Sequence, residues 1–167
     1  LGTHGDIVTD GVYKNFELVF DWKIAREGNS GVFINVQDDT SYIATWATGP
    51  EYQLLDNPNM QAGYLDGGKK GAGALYGLAP LKTSVEPNPA GEWNNSRIMQ
   101  VNGKINFWLN GIMTCEEQIG SDRWKGLVAG SKAAVFPDFS KSTKGHIGLQ
   151  DWAKGVSFKN IKIRIIQ

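Results

Sequence analysis

The chain has 167 residues, with 17 Lys and Arg against 17 Asp and Glu, so its formal net charge is zero with neutral histidines. That balance, with no basic stripe or patch, argues against a nucleic-acid surface, and no apolar run approaches the roughly 18 residues of a membrane-spanning helix. Gly is abundant at 21 residues, alongside six Trp, five Tyr and seven Phe; short strands, Gly-rich turns and many rings indicate one all-β domain over residues 1–167, large enough for a core.

Leu1 to Val12 reads as a loop or short edge strand, and the start at Leu1 without Met predicts a preceding segment, a secretion signal and a first strand. Phe16 to Ile24 is the clearest strand. Phe16, Leu18, Phe20, Trp22 and Ile24 share one face, and burying them would stabilise the fold by roughly 1.5–3 kcal/mol each. Glu27-Gly28-Asn29-Ser30-Gly31 forms a turn into a strand over Val32 to Val36, and the pair is predicted to be a hairpin. Asn29 and Ser30 are candidates for hydrogen bonding to a ligand at the sheet rim; plain turn chemistry explains them as well.

Gly49 to Asn57 carries the central strand. Tyr52 and Leu54 are assigned to the core, Glu51 and Gln53 to the open face, and Asp56-Asn57-Pro58 closes the strand. A carboxylate beside an amide can grip hydroxyls and move a proton. Asn57 to Gly73 is too long and polar for a tight connection and is predicted to cover a binding face. Ala74-Leu75-Tyr76 suggests a short strand, and Pro80 to Pro89 an extended surface loop.

Asn102-Gly103 joins strands Trp93 to Val101 and Lys104 to Leu109 in a two-residue hairpin. Its register sets Met99 opposite Asn106 and Arg97 opposite Trp108 on the open face, as a surface cation–π pair or a sugar platform with a charged donor. A second Asn-Gly turn leads into Ile112 to Glu117, with Cys115 predicted half-buried; a single cysteine forms no internal disulfide. Ser121 is positioned to cap a short helix, and Ser131-Lys132-Ala133-Ala134 to form another helical turn ended by Pro137. Gly145 to Gln150 sends Ile147 and Leu149 inward and His146, Gly148 and Gln150 outward. Val156 to Ile166 sends Val156 and Phe158 inward, and a bulge near Lys159-Asn160 returns Ile161, Ile163 and Ile165 to the core. No phosphate loop, zinc spacing or other cofactor motif is evident.

The open-face set is therefore Glu51, Gln53, Arg97, Asn106, Trp108, His146 and Gln150, and the natural ligand of so polar and aromatic a surface is a saccharide. Retaining glycoside hydrolysis needs two carboxyl groups about 5–5.5 Å apart. The strand positions Glu51, Gln53 and Leu55 supply one, so a second acid would have to come from Asp151, Glu92 or elsewhere.

The motifs Gly28-Asn29-Ser30-Gly31-Val32-Phe33, Glu51 to Asn57, Ala74-Leu75-Tyr76-Gly77, Gly91-Glu92-Trp93-Asn94, Trp108-Leu109-Asn110-Gly111, Gly145 to Asp151 and Phe158-Lys159-Asn160-Ile161 together resemble the 3-keto-disaccharide hydrolase domain family from about Tyr13 onward. The resemblance implies a concanavalin-A-like jelly-roll sandwich and periplasmic or extracellular breakdown of sugars oxidised at C3. A C3 ketone acidifies the C2 proton, so one base can start an elimination that expels the glycosidic oxygen from C1, and water adds afterwards. On this reading Glu51 is the base, His146 the acid or enolate stabiliser, and Arg97 and Gln53 hold hydroxyls or the enolate. Asn29, Ser30, Asp56, Trp108, Gln150 and Asp151 complete the expected ligand contacts. A divalent cation could replace a stabiliser. Two positions depart from the family pattern: Asn35 stands where Arg is frequent, and Trp152-Ala153 where His-Gly is. The alternatives are a non-catalytic carbohydrate-binding module built on Trp108 and Arg97, and a two-carboxylate β-glucanase.

Overall fold

The computed structural model describes residues 5–167. Two antiparallel sheets pack face to face. Strands β1 (Asp6–Val8), β3 (Asn29–Val36), β4 (Glu51–Leu55) and β8 (His146–Gln150) form a four-stranded sheet in the order β1-β8-β3-β4. Strands β2 (Phe16–Ile24), β5 (Asn94–Val101), β6 (Lys104–Leu109), β7 (Ile112–Gln118) and β9 (Val156–Ile165) form a five-stranded sheet in the order β7-β6-β5-β2-β9.

The core lies between the sheets. The alternation of β2 puts Phe16, Leu18, Phe20, Trp22 and Ile24 inside, against Val32, Ile34, Tyr52 and Leu54 from the smaller sheet. The Tyr52 ring meets Phe20 and Phe107 edge-on, with centroids 5.9 and 5.2 Å away. Its hydroxyl shares a 2.7 Å hydrogen bond with Ser96, which also accepts the Trp22 indole N–H; the aromatic core is thus closed without stranding a polar tip.

The Asn102-Gly103 hairpin has the predicted register, with Arg97 opposite Trp108 and Met99 opposite Asn106. Ser121 caps the one α-helix among the described residues, α1 (Asp122–Ala129), by accepting the Trp124 backbone N–H, and Ser131, expected inside a helical turn, caps a short 3-10 turn at Lys132–Val135. The β9 bulge is present as a register shift against β2, with Asn160 at φ 53°.

Three expectations are corrected. β2 and β3 are not a hairpin: β2 pairs with β5 and β9, while β3 pairs with β4 and β8, so the turn at Arg26 and Glu27 carries the chain from one sheet to the other. After the bulge only Ile163 packs on the core; Ile161 and Ile165 are exposed, because β9 is an edge strand whose end outruns the facing sheet's cover. Cys115 is fully rather than half-buried.

Candidate functional site

The outer face of the four-stranded sheet is the floor of a cleft of about 580 Å³, within the usual size of small-molecule sites. The alternation that sends Tyr52 and Leu54 inward turns Glu51 and Gln53 outward onto this floor, beside Asn29 and Phe33 of β3 and Gln150 of β8. The walls come from loops: Tyr64, Lys69, Lys70 and Tyr76 from the stretch after β4, Trp46 from the turn at Thr45–Ala47, Trp152 from the end of β8, and Lys132, Phe136 and Phe139 from beyond α1.

Glu51 lies across Gly31 on the neighbouring strand. A Cβ at Gly31 would fall on the Glu51 carboxyl group, so glycine there is what lets the side chain lie flat on the sheet. Among the described residues no hydrogen bond or ion pair engages that carboxylate. Burial pushes its pKa well above the ordinary carboxylate value, and the charge of Asp6 adds to the effect. The group is therefore a half-buried carboxyl without a partner among the described residues, held where a carboxylate is a stronger base than one in water.

Beside it runs a chain of oriented amides. Gln53 Nε2 donates to Asn29 Oδ1 at 2.8 Å, and Asn29 Nδ2 donates to the Tyr64 hydroxyl oxygen at 2.9 Å. Gln53 Oε1 is buried without a partner among the described residues, an arrangement that costs free energy unless a water or ligand satisfies it. Burial raises the Tyr64 phenol, with the Glu51 charge adding. Burial also pushes Tyr76 up to about 12, with smaller contributions from Tyr64, Glu51 and Asp66. Both phenols thus keep their protons at neutral pH. Trp46 and Trp152 meet edge to face at 5.9 Å. They also line a second hollow of about 360 Å³ that contains Asp6, Asp38, Asp39 and Asp151.

Of the predicted site residues, Glu51, Gln53, Asn29 and Gln150 come together here. The others do not. Arg97 and Trp108 are neighbours as expected, with the guanidinium 4.3 Å from the indole centroid, but β5 and β6 belong to the other sheet. Their side chains project from the outer surface opposite the cleft, as does Asn106. His146 has the phase of Gln150 but sits at the far end of β8, opposite Val36, with its Nδ1 2.6 Å from the Thr9 carbonyl oxygen and its ring outside both hollows. Ser30 points inward and donates to the Gln150 carbonyl at 2.6 Å. Asp56 holds a turn, accepting from the Glu27 backbone N–H at 2.8 Å and from Asn59 at 3.1 Å. Asp151 lines the second hollow.

Asn35 does not face the cleft either. Fully buried at φ 58°, it exchanges amide hydrogen bonds with Gln100 of the other sheet at 2.7 and 3.1 Å. The wall residues Tyr64, Tyr76, Trp46 and Lys70 escaped the strand-based reading because loops carry no periodicity. Tyr64 does lie inside the Asn57–Gly73 stretch flagged as a cover over a binding face, and Tyr76 inside the motif Ala74-Leu75-Tyr76-Gly77.

The sequence model of the 3-keto-alpha-glucoside-1,2-lyase-like domain matches residues 2–164. The chain belongs to that family. A 3-keto-disaccharide hydrolase of Bacteroides thetaiotaomicron is 30% identical over 185 residues, an alignment that takes in 99% of this chain and 63% of that protein. The chain thus spans less than two thirds of this relative's length. Two Parabacteroides distasonis proteins provisionally described as glycosyl hydrolases share the structure. One is 37% identical with a TM-score of 0.90, over 100% of this chain and 77% of its own. The other is 28% identical with a TM-score of 0.76, over 98% and 84%. A Bacillus subtilis carbohydrate-binding module, CBM66, has the same fold at 13% identity, with a TM-score of 0.59 over 97% of this chain and 83% of its own. The family's sandwich is the jelly-roll type that the sequence motifs implied.

Proposed function

We propose that this chain cleaves 3-keto-glycosides, with Glu51 removing the C2 proton and the glycosidic oxygen leaving from C1. The observation that carries the reading is the Glu51 carboxyl: half-buried with a raised pKa, unengaged among the described residues, and on the floor of a cleft of disaccharide size. The name of the Bacteroides thetaiotaomicron relative supports the substrate class. A carbon acid beside a ketone needs one base of raised pKa and a positive or hydrogen-bonding environment for the enolate. Lys69, Lys70 and Lys132 line the same cleft. Gln53 and Asn29 are placed to orient hydroxyls, and the edge-to-face pair Trp46–Trp152 offers a hydrophobic wall for a sugar ring. His146, at the other end of β8, and Arg97, on the opposite sheet, lie outside the cleft and have no part in this mechanism.

One observation favours a second reading. Asp6 is close enough to raise the Glu51 pKa, which a two-carboxylate hydrolase would require. A paired assay of one glucoside and its 3-keto form separates the possibilities. Cleavage of the keto form alone is expected. Cleavage of the unoxidised glucoside would establish the two-carboxylate mechanism instead, and binding of either sugar without turnover would make the domain a carbohydrate-binding module.

A further inference from the structure

With His146 outside the cleft, the proton donor expected from the sequence is not at the site, and the leaving oxygen needs another. We infer that Tyr64 supplies that proton, its hydroxyl aimed by the Gln53–Asn29 amide chain. This rests on the eliminative reading of the Glu51 site.

The argument is one of hydrogen-bond direction. Gln53 Nε2 donates to Asn29 Oδ1, which leaves the Asn29 amide nitrogen to donate onward, and it donates to the Tyr64 oxygen at 2.9 Å. An oxygen that accepts from Asn29 must turn its own proton elsewhere, and both Tyr64 and Glu51 line the cleft. The cleft therefore holds an acceptor, the Glu51 carboxylate, and a donor, the Tyr64 O–H, on two different elements: β4 and the loop that follows it. The Lys70 ammonium lies 5.6 Å from the Tyr64 ring centroid and would favour the phenolate as it forms.

The step balances with these two groups. Glu51 takes the C2 proton, and the C–H electron pair passes to the C3 carbonyl oxygen as an enolate. As the carbonyl re-forms, the pair makes the C1–C2 double bond and the C1–O bond breaks, its electrons going to the glycosidic oxygen, which takes the Tyr64 proton. Proton transfer from the Glu51 carboxylic acid to the Tyr64 phenolate, directly or through water, restores both groups. Water then adds across C1–C2.

Leaving-group dependence is the test, because a donor matters only when the departing oxygen needs a proton. Tyr64→Phe is compared with the unsubstituted protein on methyl and 4-nitrophenyl 3-keto-glucosides of one anomeric configuration. The methyl substrate should lose roughly 10²–10⁴-fold in kcat, while the nitrophenyl substrate, which departs as a stable phenolate, should lose less than about threefold. Equal losses on both substrates would mark Tyr64 as structural and overturn the assignment. So would an unchanged methyl reaction, or the same selectivity appearing in Tyr76→Phe instead. Failure of the unsubstituted protein to cleave either keto substrate would defeat the eliminative reading itself, a result distinct from the failure of Tyr64 alone.

Discussion

The two outer faces of the sandwich are built from the same residue types and differ in what those residues are bound to. On the five-stranded face, Glu17 bridges Arg97 at 2.5 Å and Arg164 at 2.6 Å. Asp21 accepts from Asn95 at 2.8 Å and Asn160 at 2.7 Å, which lowers its pKa. Lys23 and Lys159 lie 5.1 and 3.9 Å from the Trp93 ring centroid. Each of these charges faces a partner, although the Arg97 Nε–H is buried without one among the described residues. On the four-stranded face, Glu51 has no such match and Gln53 Oε1 no partner among the described residues, and the surrounding loops form a cleft. Polar and aromatic content alone does not mark a functional surface, nor does a single unmet atom; unmet polar groups gathered on the floor of a cleft do.

The sharpest way to break that contrast is substitution on each side. Glu51→Gln should lower kcat on a 3-keto-glucoside by roughly 10²–10⁴-fold, while Arg97→Ala should leave kcat/KM within about twofold. Steady-state kinetics of the two variants decides it, and a comparable loss in Arg97→Ala would return the far face to the mechanism.

A smaller effect follows from the raised Glu51 pKa. In the proposed role of base Glu51 must be ionised, so kcat/KM should rise with pH along an acid limb lying above the ordinary carboxylate value of 4.5. The stability effect has the opposite sign. Between that ordinary value and the raised one, the folded chain binds more protons than the unfolded chain, so stability falls as pH rises through the window. Glu51→Gln should abolish this slope, read as the denaturant midpoint against pH.

The smallest effect belongs to the far face. Trp108→Ala removes the ring under Arg97 and should cost about 0.5–1 kcal/mol for the cation–π contact, plus the lost packing, seen as a lower Tm with kcat unchanged.

Strand content was legible because alternation is a local signal. Phe16–Ile24 and Lys104–Leu109 have the boundaries that their periodicity predicted, and the Asn-Gly turn set the Arg97–Trp108 register. Alternation also separated Tyr52 and Leu54 from Glu51 and Gln53. It distinguishes inward from outward within one strand, however, and a sandwich has two outward directions. Arg97 and Glu51 share the property of facing out, and only the strand order, β5 in one sheet and β4 in the other, separates them. For His146 the phase was right and the distance wrong: Gln150 and His146 are four residues apart on one strand, about 13 Å of rise, so only one end of β8 reaches the cleft. The phenols of Tyr64 and Tyr76 come from loops whose course depends on tertiary contacts, including the backbone N–H of Tyr76 on the Glu51 carbonyl at 3.0 Å.

The buried Cys115 thiol provides a further experimental handle. It stands opposite Phe107 inside the five-stranded sheet, and its pKa is pushed up to about 12, chiefly by burial. A thiol-alkylating reagent therefore finds no target on the native molecule and reacts only when β6 and β7 part. Labelling rate thus becomes a clock for opening of the scaffold, and a variant that loses turnover without quickening the clock has lost chemistry rather than architecture.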